Sequence, residues 1–364
     1  MIENLRLTNL RLFRELQVDR LERVNLFAGH NNSGKSSVLE AILLLAVGGN
    51  PSLALRIPKF RGLSHLPPGV PASFWKSMFF ELDTGKPIEI KCTHSRLGYL
   101  SLTVSRESGS SLVRQGVGLS KGRGGREARS RQIRSLSLLT SKGNPGGPWG
   151  ILLSWKDKNN DELRSMHLTV DSNDVWFSGE VIRLEAEFVS PSIGNIRDDS
   201  VLLGQLRERK QGSLLTEALR IIEPRLESVE DSSATGTPMI RVDIGLPELV
   251  PLSAMGEGMT RIARIVLAMS SVRGGVVLVD EIETGIHHSV LKKLWAVVAK
   301  AARTFDVQVF ATTHSFECLV AAQEALPDAW RFHRLERNED GSSRCVSFDV
   351  EDVDVVVRHG LEVR

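Results

Sequence analysis

Aromatic residues are scarce in this chain of 364 residues: they make up 5% of it, with a single tyrosine. That argues against an aromatic platform for stacking nucleic-acid bases. Cysteine is scarcer still, at Cys92, Cys318 and Cys345. Three scattered thiols build neither a disulfide framework nor a zinc cage, which points to a reducing compartment. No apolar run approaches the ~20 residues that span a bilayer. The opening MIENLRLTNLRLF lacks the charged-then-apolar layout of a signal peptide. The expectation is a cytoplasmic protein with no membrane partner. Charge of one sign is also missing: 46 Lys and Arg stand against 44 Asp and Glu, a net of +2. A polycationic nucleic-acid packer is thereby excluded, and any such contact must come from a local patch.

What is present suits a sizeable core, with 41% hydrophobic and 25% charged residues. At ~150 residues per domain, the length predicts two domains or one with an insertion. Residues 1–28 alternate as strands do, with Leu5, Leu7, Leu10 and Leu12 expected on one side. VNLFAG (24–29) reads as a buried strand, and SSVLEAILLLAV (36–47) as a helix with a C-cap at Gly48–Gly49. The stretch 50–180 is richer in proline and glycine, with short strands such as PIEIKCT and YLSLTVS. It carries Lys121, Arg123, Arg126, Arg129, Arg131 and Arg134 in a Gly/Ser-rich run, expected to be a mobile basic loop. IRLEAEFVS (182–190) reads as a further strand. Two amphipathic helices are expected over 198–230, split near Gly212. From 240 onward strands alternate with helices, the pattern of a parallel sheet with crossover helices.

Four segments carry chemistry. Gly29-His30-Asn31-Asn32-Ser33-Gly34-Lys35-Ser36 fits G-x-x-x-x-G-K-[ST] between a strand and a helix. Its glycines let backbone N–H groups converge on phosphate oxygens at a helix N-terminus. Lys35 would bridge the β- and γ-phosphates, and the Ser36 hydroxyl would take a Mg2+ position. VVLVDE (276–281) delivers Asp280 to the carboxyl edge of a parallel sheet, to hold Mg2+ through water or Ser36. Glu281 follows as general base or water-positioning group. Leu252–Arg261 opens another helix with small and Gly-rich residues, a second phosphate-binding terminus that would cap the nucleotide of another protomer. VFATTHS (309–315) presents His314 at a strand end, where it can donate to the γ-phosphate and sense its loss. His287 and His288, adjacent on an expected helix, should point apart and serve a structural role. Cys318 should be a core residue.

The order of these segments resembles the ATP-binding-cassette class of ATPases, within it the SMC/RecF/OLD-like branch. LRLTNLRLF is similar to that branch's L-x-x-N-F-R-x-F opening, with Leu10 at the first Phe. GHNNSGKSS resembles its G-x-N-x-x-G-K-S loop, from Gly29 through Asn31 to Ser37. DEIETGIHH (280–288) resembles the D-E-x-E-x-G-L-H stretch of bacterial AAA-15/AAA-21-type ATPases, whose residues after the acid form a D-loop at a dimer interface. The resemblance spans 1–48 and 182–364. The transporter signature L-S-G-G-Q reads LSAMGEG here. An ungapped alignment puts Met255 at the serine, and a shift of two puts Ser253 there; Ser253, Gly256 and Gly258 are favoured as phosphate contacts. FVSPS (188–192) stands where a Q-loop glutamine belongs, and has none.

The resemblance implies an α/β P-loop NTPase of ABC-ATPase type, with a strand-rich N-terminal lobe and insertion and a parallel-sheet C-terminal lobe. Residues 1–50 would hold the N-terminal strands and Walker A, 51–180 the strand-rich insertion, and 181–364 a helical segment and the lobe with signature, Walker B, D-loop and H-loop. ATP and Mg2+ are the implied cofactors. Gly29, Asn31, Asn32, Ser33, Gly34, Lys35, Ser36 and Ser37 would cradle the nucleotide, and Lys35, Glu281 and His314 would act in hydrolysis. A homodimer or higher homo-oligomer would form through the ATP sites. Three roles compete: a regulatory ATPase controlling an effector such as a separately encoded nuclease in anti-phage defence, a RecF-like DNA clamp using the 121–134 loop, and a non-hydrolysing module that merely binds nucleotide, against which Glu281 and His314 argue. The 50 residues after His314 are too few for the TOPRIM nuclease that OLD enzymes carry there. No N-K-x-D motif favours a GTPase, and the 252–258 segment sets the chain apart from AAA+ ring motors.

Overall fold

The alternation at the start of the chain folds as a hairpin. β1 (Ile2–Leu10) buries Ile2, Leu5, Leu7 and Leu10, and β2 (Phe13–Val18) buries Phe13, Leu16 and Val18. Leu10 pairs with Phe13 across a tight turn in which Arg11 adopts φ 54. Leu12 therefore sits in the turn instead of continuing the Leu5–Leu10 face; a register shift between Ile2 and Asn4 and the hairpin itself reset the alternation. The computed structural model describes residues 1–50, 53–54, 57–58, 72–108, 149–169, 175–179, 182–191, 196–232, 238–326, 328–338 and 341–358. The basic run 121–134 lies outside them.

Beyond β3 (Val24–Gly29) the antiparallel sheet resumes with β4 (Ile88–His94), β5 (Gly98–Ser108), β6 (Trp149–Lys156), β7 (Glu162–Thr169) and β8 (Val175–Gly179). Its order is β2-β1-β4-β5-β6-β7-β8, so the 51–180 stretch extends the sheet that the N-terminal hairpin begins. A second sheet combines β3 with β9 (Ala186–Val189), β13 (Val276–Val279), β14 (Gln308–Thr312), β15 (Trp330–Arg337) and β16 (Ser343–Phe348). It runs β16-β15-β3-β14-β13-β9, parallel except for β16 at the edge. A small third sheet joins β10 (Ser228–Ser232), β11 (Met239–Asp243) and β12 (Val250–Pro251).

Helix α1 (Lys35–Val47) is apolar all round, which is the pattern of a helix with no solvent face. Every residue from Ser37 to Val47 is buried. It packs with the antiparallel sheet and with Phe27, Val276, Leu278 and Phe310 of the parallel one. The alternate residues Val24, Leu26, Val277, Val279, Val309 and Ala311 face a second core. That core is closed by α3 (Ile196–Glu208), α4 (Gly212–Leu219), α5 (Glu257–Ser271), α6 (His288–Thr304), α7 (Phe316–Ala325) and α8 (Val350–Arg358). A short α2 (Ala72–Lys76) covers the first core with Phe74 and Trp75. Burial on both faces explains why the central parallel strands read as unbroken apolar runs. Gln308, 1% exposed, ties the sheets together: it accepts from Ile2 N at 2.7 Å and donates to Ile2 O and Glu22 O, both at 2.8 Å.

Two expectations change. The second helix of 198–230 stops at Leu219, because Pro224 cannot continue it, and the chain re-forms as β10. Gly48 is not a left-handed cap, since its φ is −57. Gly49 is needed for close approach instead: a Cβ there would lie 2.5 Å from Ile182 O. Cys318 is buried, as a core residue should be. Among the described residues no helix is long and apolar enough to cross a membrane.

Candidate nucleotide-binding site

The site forms where β3, β13 and β14 end side by side. β3 stops at Gly29, whose φ of 142 lets the chain leave the sheet. A Cβ on Gly29 would stand 2.3 Å from Leu335 O of β15, so only glycine fits. Asn32 (φ 62) and Gly34 (φ 98) complete the curl. Gly34 is the N-cap of α1 and offers no side chain, which leaves the first N–H groups of the helix without a side-chain cap. The ring of Phe13 lies against Gly34, where a Cβ would meet Cζ at 2.3 Å. The N-terminal hairpin thus supports the loop from beneath.

His30, Asn31 and Asn32 are exposed, whereas Ser33, Gly34, Lys35 and Ser37 are buried and Ser36 is half-buried. Lys35 Nζ donates to Gly29 O at 2.8 Å and His30 O at 2.9 Å. Burial draws its ammonium down to about 8, against the opposing pull of Asp280, Glu281 and Glu283. Ser33 Oγ is buried with no partner. Ser37 N closes the first turn onto Gly34 O at 2.9 Å.

The acids arrive from β13. Ser36 Oγ lies 3.1 Å from both Oδ1 and Oδ2 of Asp280. Thr312 Oγ1, at the end of β14, donates to Asp280 Oδ1 at 2.6 Å and accepts from Glu281 N at 2.8 Å. Glu281 is left-handed (φ 48), a strained conformation for a residue with a Cβ. Thr284 Oγ1 donates to its Oε2 at 3.2 Å, and its Oε1 stands 4.0 Å from His314 Nε2. Glu281 and His314 are both substantially solvent-exposed. A cavity of about 400 Å3 opens here, lined by Gly29, His30, Asn31 and His314.

The residues suit a magnesium triphosphate. A hydroxyl and a carboxylate stand together as a hard cation requires. A buried ammonium is hydrogen-bonded to two carbonyl oxygens, and an uncapped helix N-terminus closes the loop. Among the described residues no group of three or more His, Cys, Asp and Glu could hold a metal unaided.

The 252–258 segment forms a 3-10 turn over Leu252–Met255, then Gly256 (φ 98) as N-cap of α5. Ser253 and Gly256 are exposed, and a Cβ on Gly256 would meet nothing within 4 Å. Gly258 packs beside Gly285 O, and Gly285 beside Glu257. This links the segment to the turn after Glu281, not to the P-loop. His287 and His288 do not point apart: their rings are 4.1 Å between centroids. His287 precedes α6 as its N-cap and accepts from Ser289 N at 3.4 Å, so helical spacing does not apply to it.

Sequence reasoning missed Arg261, one turn into α5 and 4% exposed. Its guanidinium donates to Ser190 O, to Asp280 O at 2.5 Å and to Glu281 O at 3.1 Å. Burial, then the charge of Arg264, lowers it to about 10. It joins the signature helix, the end of β9 and the acid-bearing turn. The only hint in the sequence was an arginine on the apolar side of an amphipathic helix. Thr312 and Thr284 were also missed, since small hydroxyl residues carry no pattern of their own.

The geometry is that of a P-loop nucleotide site, and the chain is similar to AAA-type ATPase domains. A family described as "AAA ATPase domain" matches residues 1–144, and one described as "AAA domain, putative AbiEii toxin, Type IV TA system" matches 157–319. Both reach into the 50–180 stretch, beyond the expected extent of the resemblance. The chain is 24% identical over 347 residues to an "ATP/GTP phosphatase" of Helicobacter pylori, covering 87% of this chain and 86% of that one. A 44-residue segment is 48% identical to an uncharacterized protein of Methanocaldococcus jannaschii, covering 12% of this chain and 20% of that one. Among solved structures, an SMC head bound to the C-terminal winged-helix domain of ScpA overlaps with TM-score 0.49 at 12% identity, covering 97% of this chain and 99% of that one. The SMC head of Thermotoga maritima overlaps at 0.41 and 12%, covering 96% and 99%.

Proposed function

We propose that this chain binds ATP with Mg2+, hydrolyses it, and uses the nucleotide to join two copies of itself. One observation carries the reading: Ser36 of the P-loop meets Asp280 at one sheet edge beside Lys35, and Glu281 and His314 flank the same opening. The N–H groups of Gly34, Lys35 and Ser36, with Asn31 and Asn32 at the rim, receive the phosphates. Lys35 neutralises the β- and γ-oxygens. Ser36 and Asp280 would hold Mg2+, which when bound offsets the charge of the triphosphate. Glu281 accepts the proton of the attacking water as its oxygen bonds to the γ-phosphorus. The bond to the β–γ bridging oxygen breaks, giving ADP and phosphate. His314 donates to the γ-phosphate and loses its partner when that group leaves.

The partner's Ser253, Gly256 and Gly258 close over the nucleotide of the first copy. The exposure of Ser253 and Gly256 supports this. Nucleotide state then becomes dimer state, and the dimer regulates a partner effector such as a nuclease, in bacterial anti-phage defence. The toxin–antitoxin wording of the matched family supports that setting. Lys35→Ala should abolish nucleotide retention, and Glu281→Gln should retain ATP while turnover falls at least about 100-fold. Wild-type turnover in Glu281→Gln contradicts the role of Glu281.

A further inference from the structure

The turn after Asp280 carries a second acid, Glu283, that the hydrolytic scheme leaves without a task. Its Oε1 accepts from His314 N at 2.8 Å. Its Oε2 is buried with no hydrogen-bond partner. A carboxylate half satisfied inside the protein is costly unless the bond it does make is needed. That bond is one of several between the same two segments. Ile282 N donates to Thr312 O at 3.0 Å, and Glu281 N to Thr312 Oγ1 at 2.8 Å. The other N–H groups of the His314 loop are already committed, Thr313 N to Phe27 O at 2.9 Å and Ser315 N to Thr313 Oγ1 at 3.0 Å. The Glu283 bond is the one that holds the His314 backbone, whereas Glu281 approaches only its ring, at 4.0 Å.

We propose that Glu283 is a positioning residue that locks the His314 backbone to the Glu281 turn, so that both groups are set by one rigid unit. The inference rests on the proposed ATPase reading for its kinetic consequence, but not for its structural one. Glu283 touches no nucleotide in this scheme. It acts by denying His314 the freedom to swing away from Glu281. A glutamine keeps the accepting oxygen, whereas an alanine removes it.

Amide exchange of the 312–316 segment in nucleotide-free protein tests the lock directly. Glu283→Ala should speed exchange at His314 about tenfold, the loss of one charge-assisted bond, and Glu283→Gln should hold it near wild type. In turnover, Glu283→Ala should lower kcat about tenfold with KM unchanged, Gln should restore it, and Ala should add nothing in a His314→Ala background. Equal exchange in all three proteins overturns the lock whether or not ATP is hydrolysed. An undiminished loss in the His314→Ala background overturns the route through His314. If the alanine variant does not fold, loss of protection in the glutamine variant alone refutes the proposal. Absence of turnover in the wild type, with the exchange pattern intact, strikes the ATPase reading only.

Discussion

Replacing Arg261 with alanine should be among the most damaging single changes outside the P-loop. The side chain is 4% exposed and serves three carbonyls on two strand ends: Ser190 O, Asp280 O and Glu281 O. Hydrogen bonds to a charged group contribute ~1.5–3 kcal/mol each, but they share one guanidinium and do not add fully. Breaking a buried charged network by removing one member costs ~3–5 kcal/mol, which is the loss expected here. Glu281 O would keep Thr284 N as its donor at 3.0 Å, but the guanidinium that ties it to Asp280 O and Ser190 O would be gone, so relaxation of the strained Glu281 turn should follow. Arg261→Lys keeps the charge but offers a point donor instead of a fork, so it should recover less than half of the loss. Denaturant unfolding measures both, through a lowered midpoint at unchanged slope. Turnover by the folded fraction should fall as well, since Glu281 loses its anchor. An alanine variant within about 1 kcal/mol of wild type would refute the reasoning, because it would mean that the three bonds are not made.

Lys35 sets a pH dependence. Its ammonium is held at about 8 in the free protein, chiefly by burial, so it is charged at neutral pH and neutral above. Triphosphate affinity should fall up to about tenfold per pH unit above 8, and calorimetry in buffers of different ionisation enthalpy should detect proton uptake on binding near pH 8. Because the folded value lies below the unfolded 10.5, the folded chain binds fewer protons between the two. Stability from this group should therefore rise with pH across that window, with its penalty fully present below 8. Gly29→Ala should eliminate nucleotide binding, because its Cβ would need to displace Leu335 O from 2.3 Å and φ is 142; retained affinity with unchanged melting would contradict the tight packing of β15 on the loop.

Much of the architecture was legible because it is periodic. The apolar strands VNLFAG, VVLVD and VQVFAT and the P-loop between strand and helix announced a parallel sheet, and β3, β13 and β14 lie adjacent in it. Position in three dimensions was less legible. Leu12 looked like a strand residue because the turn at Arg11 has no Gly or Pro to mark it. The helix expected to reach 230 ended at Leu219 because one proline outweighed a good apolar pattern. His287 and His288 come together because a helix begins between them, a boundary no periodicity fixes. In the candidate site, Ser36 and Asp280 were picked out by motif spacing, and their side chains lie 3.1 Å apart. Arg261, Thr312 and Thr284 were not, because each acts through backbone or carboxylate groups that lie far away in sequence.

In the proposed cycle, nucleotide joins two copies of the chain. Glu281→Gln protein of 40.2 kDa per chain, purified and mixed with excess Mg-ATP, should elute as a species of about twice that mass by light scattering. It should return to the single-chain mass when Ser253 is also changed to a bulky residue such as arginine. A Glu281→Gln protein that retains ATP yet stays at 40.2 kDa across protein concentrations would contradict the account.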